Sequence, residues 1–434
     1  MDNILAIILA GGRGKRLSVL TQDRVKPAVP FAGKYRLIDF TLSNCVNSGI
    51  HSVVVLTQYN PLSLAEHIGI GTAWGLTTPN RGIRLLQPYL AQEEGRDWYT
   101  GTADAMYQNF KYIEDHSPEL VLVLSGDHVC RMDYSGMLQF HQNKQADVTL
   151  AFTQYPEAEL YQFGTVAIDI EGRVISFQEK VKRPKSDMVS MGIYLFNTDV
   201  LQQCLEEDVK FNSSRHDFGR DIFPKMVAQG KYKIFAYGFS GYWRDVGTIQ
   251  NYWQSNIDMI EMSMGGFLSN TDWPIRTNET ERPPSTISEK AKVTNSLISN
   301  GCVIEGNVER SVLSPGVIVS EGATVKDSII LSDSIVGSRS IIDYSILDKQ
   351  VVVEAGCYLG FGNDFQINHR EPKVINSGIT IVGRKAKIPP GRTIGRNCVI
   401  SCNVTEDDFL TSEVQSGETI APSRRNCTRK DKLT

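Results

Sequence analysis

The chain has 434 residues, a net charge of −4, 41% hydrophobic residues and 22% charged residues, which is the composition of a globular protein with room for two domains. A charge balance this close to neutral gives no support to a polyanion-binding role. The first apolar run has no basic segment before it and is interrupted at Gly11, so we expect neither a signal peptide nor a membrane span, and the cytoplasm is the default location.

Strand-like and helix-like segments alternate as far as about residue 260. The strand-like segments are 4–10, 52–57, 120–124 and 148–152, and the helix-like segments are 103–115 and 135–143. This alternation predicts an α/β domain with a Rossmann-like, mostly parallel sheet covered by helices. Ligands of such sheets bind beyond the carboxyl ends of the strands, which is where we expect the functional residues.

A glycine loop follows the first predicted strand, in "AIILAGGRGKRLSVLTQDRVKPAVP" at 6–30. The spacing is not that of a Walker loop, and Leu17 stands where a dinucleotide fingerprint has its third glycine. Arg13, Lys15, Arg16 and Lys26 add cations to a backbone that can approach phosphate closely, which indicates a triphosphate site. The alternative is a glycine-rich strand-to-helix turn with solvated basic residues.

Two aspartates are candidates for holding a metal ion. Asp127, in "LVLSGDHV", follows a predicted strand, and Asp245 lies in "YWRDVGT". Mg²⁺ prefers one or two carboxylates together with phosphate oxygens of a substrate. The alternatives are that Asp127 is a turn residue and that Asp245 pairs with Arg244 or caps a helix.

Two further segments contain residue types suited to a sugar phosphate. In "FQEK", Lys180 is suited to a phosphate and Glu179 to sugar hydroxyls. Adjacent strand residues point to opposite faces, so a surface pair is the alternative. In "DWYTGTADA", Trp98 and Tyr99 precede a turn and a helix whose first turn is suited to an anion, and the alternative places both rings in the core.

The sequence pattern changes after "RTNETERPPST" at 276–286, which reads as a polar, proline-bearing linker. Apolar residues then recur every six positions, at Val317, Ala323, Ile329, Ile335 and Ile341, at Val312, Ile318, Ile330, Val336 and Ile342, and again at Val382, Ile388, Ile394 and Ile400. A period of six is typical of a hexapeptide β-helix, with three hexads in each triangular coil. Residues from about 354 to 378 break the repeat and are expected to loop out.

These patterns divide the chain into three parts. We predict an α/β catalytic domain at 1–275, a linker at 276–290, and a C-terminal left-handed parallel β-helix at 291–434.

In order along the chain, the motifs resemble those of the ADP-glucose pyrophosphorylase family, a bacterial branch of the sugar nucleotidyltransferases. The resemblance covers essentially the whole chain and rests on "LAGGRGKRL", "KPAVPFAGKYRLIDFTLSNCVNSGI", "WYTGTADA", "SGDHV", "FGTVAI", "FQEK", "SMGIYLF", "HDFGRDIFP" and "YWRDVGT". The sugar nucleotidyltransferases share "LAGGRG" and "KP". The motifs "DFTLSNCVNSGI", "WYTGTAD" and "YWRDVGT" together narrow the resemblance to the ADP-glucose branch.

The resemblance implies a set of site residues. For ATP it implies Leu9, Ala10, Gly11, Gly12, Gly14, Arg16, Lys26, Gln92, Gly101, Thr102 and Gly126. For glucose 1-phosphate it implies Tyr99, Gly164, Glu179, Lys180 and Ser190. Catalysis is assigned to Arg16, Lys26, Asp127 and Asp245, with the two aspartates holding Mg²⁺ as the cofactor.

The resemblance also implies a reaction and a biological setting. ATP and α-D-glucose 1-phosphate would give ADP-glucose and pyrophosphate for glycogen synthesis, in a cytoplasmic homotetramer regulated by metabolite effectors, with no nucleic acid or membrane partner. Some bacterial members carry a lysine three residues before the lysine of "KPAV", associated with effector response, where this chain has Asp23. This departure puts activation of the fructose-bisphosphate type in doubt and leaves the effectors and the assembly interface open.

Two other functions are consistent with the same domain order. A non-catalytic regulatory subunit would have damaged phosphate or metal residues, whereas Arg16, Lys26, Asp127, Lys180 and Asp245 are all present. A bifunctional enzyme whose β-helix acetylates an amino sugar usually needs a general base, often histidine, and His369 is the only histidine after His216.

Overall fold

The structure is a computed structural model that describes residues 3–78, 81–88 and 98–423. The chain forms two compact units. The first contains the chain up to Gly12 together with Leu37–Arg244, and the second contains Arg13–Arg36 together with the chain from Asp245 onwards. The division therefore falls inside the glycine loop, between Gly12 and Arg13.

Regular elements cover most of the chain before residue 265. The strands are β1 (Ile4–Leu9), β2 (Pro30–Phe31), β3 (Tyr35–Arg36), β4 (Val53–Leu56), β5 (Ile83–Leu86), β6 (Leu120–Ser125), β7 (His128–Cys130), β8 (Val148–Gln154), β9 (Gly164–Ile168), β10 (Val174–Glu179), β11 (Met188–Asn197), β12 (Ile234–Gly238) and β13 (Trp243–Asp245). The α-helices are α1 (Leu37–Asn47), α2 (Leu62–Ile68), α3 (Thr102–Gln108), α4 (Phe110–His116), α5 (Tyr134–Asn143), α6 (Thr198–Val209), α7 (Phe223–Gln229) and α8 (Ile249–Met264). A π-helical turn, Phe218–Ile222, precedes α7.

A nine-stranded mixed sheet forms the centre of the first unit. Its main path runs β10-β9-β11-β6-β1-β4-β5, and β8 pairs with both β11 and β12. β1 is parallel to both β4 and β6, and β4 is parallel to β5, whereas β11 is antiparallel to β6. β1, β4 and β6 are buried apolar runs, as expected for strands covered on both faces, whereas the edge strand β5 contains the exposed Arg84. The predicted α/β fold class is confirmed.

The predicted helix at 103–115 is wrong in one respect, because it is two helices. α3 ends at Gln108 and α4 begins at Phe110, with Asn109 between them at φ −102° and ψ 10°. The Asn109 side-chain amide donates to the carbonyl oxygen of Ala105 and to the hydroxyl of Tyr99, both at 2.8 Å. An asparagine that bonds to nearby backbone in this way competes with the helical pattern.

Three parallel sheets make up the β-helix of the second unit. Their strands, in chain order, are β14 (Thr286–Ile287), β15 (Lys292–Thr294), β16 (Leu297–Ile298), β17 (Val303–Ile304), β18 (Asn307–Glu309), β19 (Val312–Leu313), β20 (Ile318–Val319), β21 (Thr324–Lys326), β22 (Ile329–Ile330), β23 (Ile335–Val336), β24 (Ile341–Asp343), β25 (Ser345–Leu347), β26 (Val352–Val353), β27 (Tyr358–Leu359), β28 (Thr380–Val382), β29 (Lys387–Ile388), β30 (Thr393–Ile394), β31 (Val399–Ile400), β32 (Glu413–Val414) and β33 (Thr419–Ile420). Every third strand joins the same sheet up to β31, as the triangular coil of a left-handed β-helix requires.

The six-residue repeat predicts the β-helix and its inward residues only in part. The series Val382, Ile388, Ile394 and Ile400 lies wholly in the buried core, whereas the earlier series do not stay in phase with it. Successive buried core residues are six positions apart in most cases and five apart in the others, in the series Val319, Val325, Ile330, Val336, Ile342, Leu347 and Val353. The five-residue corners contain a residue in the left-handed region, such as Asp327 at φ +49° and Tyr344 at φ +47°. A series with a strict period of six therefore comes to include outward-facing residues, such as Ile335, which is 36% exposed.

The insertion in the β-helix is shorter than predicted. β27 still pairs with β24 and β30, so the repeat continues to Leu359 and resumes at Thr380. The first strand, Thr286–Ile287, lies inside the range 276–290 assigned to the linker. The boundaries 1–275, 276–290 and 291–434 stay a proposal.

A second set of apolar side chains is buried on the outer face of one β-helix sheet. Val312, Ile329, Ile346 and Ile381 are 0% exposed, although they alternate with the inward residues. Segment 13–36 and α8 contact this part of the second unit. Ser314 Oγ donates to the carbonyl oxygen of Gly33 at 2.8 Å. The indole of Trp253 donates to the carbonyl oxygen of Asp327 at 2.7 Å.

A buried ion pair fixes segment 13–36 on the β-helix. Arg24 donates through both terminal nitrogens to the carboxylate of Asp348, at 2.9 and 3.0 Å. Their side chains are 5% and 0% exposed. Burial opposes the positive charge of Arg24, but Asp348 raises the pKa of Arg24 above its usual value.

Among the described residues, no helix is both long enough and apolar enough to cross a membrane.

We expect Ile330→Asp to lower the melting temperature by roughly 10 °C, since a carboxylate stacked between Leu313 and Leu347 costs about 4 kcal/mol. Ile335→Asp is the matched control, because Ile335 is partly exposed. Thermal unfolding monitored by circular dichroism measures both, and equal shifts for the two variants would contradict the assigned inward positions.

We expect Asp348→Ala to destabilise the second unit by about 3–5 kcal/mol, since it leaves Arg24 buried without its partner. The control is Asp333→Ala, which removes an exposed ion pair with Arg282 and should cost less than about 1 kcal/mol. Urea unfolding of both variants gives the comparison, and similar midpoints would show that burial of the Arg24 pair has no energetic consequence.

Candidate active site

A cavity of about 420 Å³ opens at the carboxyl ends of three parallel strands of the first unit. Leu9, Leu56 and Ser125, the last residues of β1, β4 and β6, contribute to its wall. The other lining residues are Gly11, Gly12, Gln58, Tyr59, Tyr99, Thr100, Gly101, Thr102, Ala105, Asp127 and Asp217. The volume suits a nucleotide-sized ligand, and the position is the one expected for an α/β sheet.

The glycine loop presents bare backbone to this cavity. A side chain on Gly12 would meet no protein atom within 4 Å, whereas one on Gly11 would lie 3.3 Å from Cβ of Gln58. The main chain holds the loop at its base, because Ala10 N donates to Leu56 O at 2.8 Å and Gly126 N donates to Leu9 O at 3.2 Å. An open glycine of this kind leaves room for a phosphate group close to the backbone.

The turn before α3 forms another wall of the cavity. Asp104 accepts hydrogen bonds from the backbone amide and the hydroxyl of Thr100, at 2.7 and 2.9 Å. Thr102 Oγ1 donates to Asp217 Oδ2 at 3.1 Å. Of the residues assigned to ATP, Leu9, Gly11, Gly12, Gly101 and Thr102 therefore line the cavity, and Ala10 and Gly126 flank it. Gln92 lies outside the described residues.

Of the two aromatic residues in "DWYTGTADA", Tyr99 lines the cavity and Trp98 stacks on a residue that lines it. Tyr99 is 9% exposed, so it is a core residue that also lines the cavity. Its carbonyl oxygen accepts a hydrogen bond from Gln58 Nε2 at 3.2 Å. Trp98 is exposed and stacks on Tyr59, with ring centroids 4.9 Å apart.

Glu179 and Lys180 lie together, contrary to the alternation expected for a surface strand. β10 ends at Glu179, and Lys180 has φ +51°, so its side chain leaves the strand direction. Its Nζ lies 3.0 Å from Oε1 of Glu179, and the two side chains are 48% and 15% exposed. The Glu179 carboxylate lies so close to Gly164 and Gly219 that a Cβ on either would come within 2.7 Å of it.

Ser190 joins the same group through Tyr194. Ser190 Oγ donates to the hydroxyl oxygen of Tyr194 at 3.3 Å. Burial raises the pKa of Tyr194 well above its usual value, and the negative charges of Glu179 and Asp217 add to the shift. Glu179 also lies near Asp217 on the cavity wall, since its carboxylate borders Gly219, whose N–H donates to Asp217 Oδ1. Sequence reasoning missed Asp217 and Tyr194, although Asp217 lies in the motif "HDFGRDIFP" and Tyr194 lies in the motif "SMGIYLF".

Asp127 lies on the cavity wall just beyond β6. It accepts a short hydrogen bond from the hydroxyl of Ser125. Among the described residues no group of three or more His, Cys, Asp or Glu side chains is arranged to hold a metal ion. A single carboxylate beside a phosphate-sized space nevertheless fits Mg²⁺, which takes most of its ligands from water and substrate phosphates.

The remaining assigned residues form a cluster within the second unit. Lys26 is buried, and its Nζ lies 3.0 Å from Oδ1 of Asp245. Gly14, at φ +63°, leaves no room for a side chain next to Lys26. A Cβ on Gly247 would lie 2.5 Å from Asp245 Oδ2 and 2.9 Å from Nη2 of Arg16, so both side chains border this glycine. The residue that caps α8 is Thr248 rather than Asp245.

Comparison with known proteins identifies the family. Residues 5–261 match the Nucleotidyl transferase family model, and residues 283–382 match the model for the GlmU-like, C-terminal hexapeptide. The chain is 45% identical to the glucose-1-phosphate adenylyltransferase of Thermotoga neapolitana, over 97% of this chain and 99% of that protein. The chain belongs to the glucose-1-phosphate adenylyltransferase family.

Other members of the family match equally far along the chain. Identity is 47% to the glucose-1-phosphate adenylyltransferase of Pseudothermotoga lettingae, over 97% of this chain and 99% of that protein. Identity is 48% to the glucose-1-phosphate adenylyltransferase of Thermomicrobium roseum, over 97% of this chain and 98% of that protein. The predicted membership of a family of glucose-1-phosphate adenylyltransferases, with a nucleotidyltransferase domain followed by a hexapeptide domain, is thus confirmed.

We expect Gly12→Ala to raise the nucleotide KM of this adenylyltransferase about tenfold or more while the melting temperature stays unchanged, since the added methyl group enters ligand space rather than protein. Gly101→Ala is the contrasting variant. Its methyl group would overlap the carbonyl oxygens of Arg215 and His216, so it should lower the melting temperature. An unchanged nucleotide KM for folded Gly12→Ala would place the phosphates elsewhere.

Proposed function

We propose that this chain transfers the adenylyl group of ATP to α-D-glucose 1-phosphate, giving ADP-glucose and pyrophosphate for the synthesis of glycogen. The observation that carries the proposal is the cavity at the strand ends. There an open glycine loop, the Gly101–Thr102 turn and Asp127 lie together in a chain that matches glucose-1-phosphate adenylyltransferases over nearly its whole length.

The reaction requires the two substrates to be positioned correctly and does not require a covalent enzyme intermediate. A phosphate oxygen of glucose 1-phosphate attacks the α-phosphorus of ATP in line with the bond to the departing pyrophosphate. The attacking phosphate is already a nucleophile, so the enzyme needs to hold the two phosphates in line and neutralise their charge.

The glycine loop and the cations that follow it would hold the triphosphate. We assign Gly11, Gly12 and Gly14 to backbone contacts, and Arg16 and Lys26 to charge neutralisation. The partly buried Lys26–Asp245 ion pair supports this role, since it holds the ammonium group in place before any ligand arrives.

Asp127 and Asp245 are the proposed ligands of Mg²⁺. When bound, the ion would neutralise the phosphate oxygens around the reacting α-phosphorus. The position of Asp127 on the cavity wall, with one oxygen bonded to Ser125, supports this assignment for the first unit.

The sugar phosphate would occupy the part of the site bounded by Tyr99, Gly164, Glu179, Lys180 and Ser190. The Lys180 ammonium is suited to the phosphate as a compact charge, and the Glu179 carboxylate is suited to sugar hydroxyls. In the structure the two side chains pair with each other, so ligand binding would exchange that ion pair for contacts with the substrate.

The proposal extends to the setting of the enzyme. We propose a homotetramer that works in the cytoplasm and responds to metabolite effectors, as the family resemblance implies. Asp23 is exposed and negatively charged, which disfavours an effector that needs a lysine at this position.

Pyrophosphate release by the purified chain tests the function directly. The assay pairs glucose 1-phosphate with ATP, UTP, GTP, CTP or dTTP, each in the presence of Mg²⁺. Release that is fastest with ATP by about tenfold or more supports the proposal. No release with any triphosphate would favour the regulatory subunit, and a different preferred base would overturn the assignment to ATP.

We expect Lys180→Ala to raise the KM for glucose 1-phosphate by about 30 to 1000 fold, since it removes a charge-assisted contact worth roughly 2 to 4 kcal/mol. The KM for ATP should barely change. Lys180→Arg should restore binding only in part, because a planar guanidinium does not fit the position of an ammonium. The exposed Lys182 supplies the control, Lys182→Ala. Equal changes in both KM values, or none, would rule out this role.

We expect Asp127→Asn to lower kcat by on the order of 100-fold or more with the fold intact, because a neutral amide weakens the hold on Mg²⁺. The amide keeps an oxygen that can still accept the hydroxyl of Ser125. Steady-state kinetics together with a melting curve give the comparison, and a kcat within about threefold of wild type would exclude Asp127 as a metal ligand.

A further inference from the structure

His216 has a backbone conformation that is unusual for its residue type. Its φ is +54°, in the left-handed region that non-glycine residues rarely adopt. Such a conformation persists only when the surroundings hold it in place. His216 is the first residue of the motif "HDFGRDIFP". The family resemblance assigns no role to this histidine.

A buried carboxylate holds the imidazole ring. Nδ1 of His216 lies 2.6 Å from Oδ2 of Asp208, close to the end of α6. The other oxygen of Asp208 accepts the hydroxyl of Ser214 at 2.7 Å, and that hydroxyl oxygen accepts the backbone N–H of His216 at 3.0 Å. His216 and Asp208 are 6% and 4% exposed. The ring and the backbone amide of His216 are therefore fixed by one network.

The carbonyl group of His216 continues this network into the first turn of α3. Its oxygen accepts the backbone N–H groups of Ala103 at 2.8 Å and Asp104 at 3.3 Å. Gly101, which lines the cavity, packs so closely against the same carbonyl that any side chain there would overlap it.

The residue that follows His216 lies on the cavity wall itself. Asp217 accepts the hydroxyl of Thr102 through Oδ2, and through Oδ1 it accepts the backbone N–H groups of Gly219 and Arg220, at 3.1 Å in each case. Thr102 Oγ1 in turn accepts the N–H of Phe218 at 3.1 Å. The two sides of the cavity wall, 101–102 and 217, thus meet at His216.

We propose that His216 is a positioning residue for the adenylyl transfer reaction. The Asp208 carboxylate holds the imidazole, and this anchor maintains the left-handed backbone that sets the Gly101–Thr102 turn and Asp217 at the cavity. The turn lines the cavity assigned to the nucleotide, and Asp217 accepts the N–H of Gly219, which borders the carboxylate of Glu179, a residue assigned to the sugar phosphate. Loss of the anchor therefore affects the binding of both substrates. The kinetic part of this inference rests on the proposed function.

Three substitutions at the same position separate the possible roles. His216→Ala removes the ring and disfavours positive φ, and His216→Gly removes the ring but permits positive φ. His216→Asn tolerates the left-handed region and offers an amide N–H close to the position of Nδ1. If the anchor matters, the alanine and glycine variants raise both KM values about fivefold or more, and the asparagine variant stays within about twofold of wild type.

Two further variants complete the comparison. Asp208→Ala removes the anchor from a different element and should raise both KM values in the same way, which keeps the test available if His216→Ala does not fold. His141→Ala is the control, since His141 is also buried and bonded, to Thr149 and Asn197, but none of these three residues lines the cavity. It should lower the melting temperature and leave both KM values unchanged.

Hydrogen exchange supplies a readout that needs no substrate. The amides of Ala103 and Asp104 should exchange faster in His216→Ala and His216→Gly than in the wild type, and remain protected in His216→Asn. If the wild type releases no pyrophosphate from ATP and glucose 1-phosphate, the proposed function fails while this measurement still judges the anchor. Unchanged amide protection in His216→Ala would overturn the inference. So would KM increases that follow the loss of stability across all three His216 variants, whichever residue replaces the histidine.

Discussion

The buried ion pair between Arg24 and Asp348 is the constraint on which the second unit depends. Both groups are almost fully buried, so each would be costly without the other, and their two hydrogen bonds fix the geometry as well as the charge. Arg24 lies between Arg16 and Lys26 in the chain, and the β-helix supplies its partner. The segment that carries these phosphate-binding candidates therefore takes its conformation from the C-terminal repeat.

This arrangement makes the β-helix a support for some of the proposed catalytic residues. Gly14, Arg16, Lys26 and Asp245 belong to the unit that contains the β-helix, whereas Gly11, Gly12 and Asp127 belong to the sheet unit. A change that loosens the packing at Asp348 should therefore disturb Lys26 and its ion pair with Asp245 while leaving the cavity of the first unit intact. Truncating the β-helix would remove Asp348, which holds the segment that carries Arg16 and Lys26.

Local patterns in the sequence predict much of the fold. The strand ends that carry the glycine loop and Asp127 follow from apolar runs bounded by glycine, and the six-residue period predicts the β-helix. The inward phase changes between Val319 and Val353 because two intervals, Val325 to Ile330 and Ile342 to Leu347, are five residues long rather than six. The break between α3 and α4 was missed because it depends on bonds from Asn109 to Tyr99 and Ala105. The attachment of segment 13–36 to the β-helix has no local signal, since Arg24 and Asp348 are 324 residues apart.

Two residues beside the site have a backbone conformation that the local sequence does not predict. Lys180 and His216 both have positive φ although neither is glycine or asparagine, and at Lys180 the side chain leaves the direction that strand alternation predicts. At Lys180 this turn brings an ammonium and a carboxylate, from adjacent residues, to the same side of the chain. At His216 it directs a carbonyl oxygen at the first turn of α3. Only tertiary contacts stabilise such conformations, here the Phe163 carbonyl that accepts the Lys180 N–H and the Asp208 carboxylate that holds His216, and a single sequence carries no signature of either.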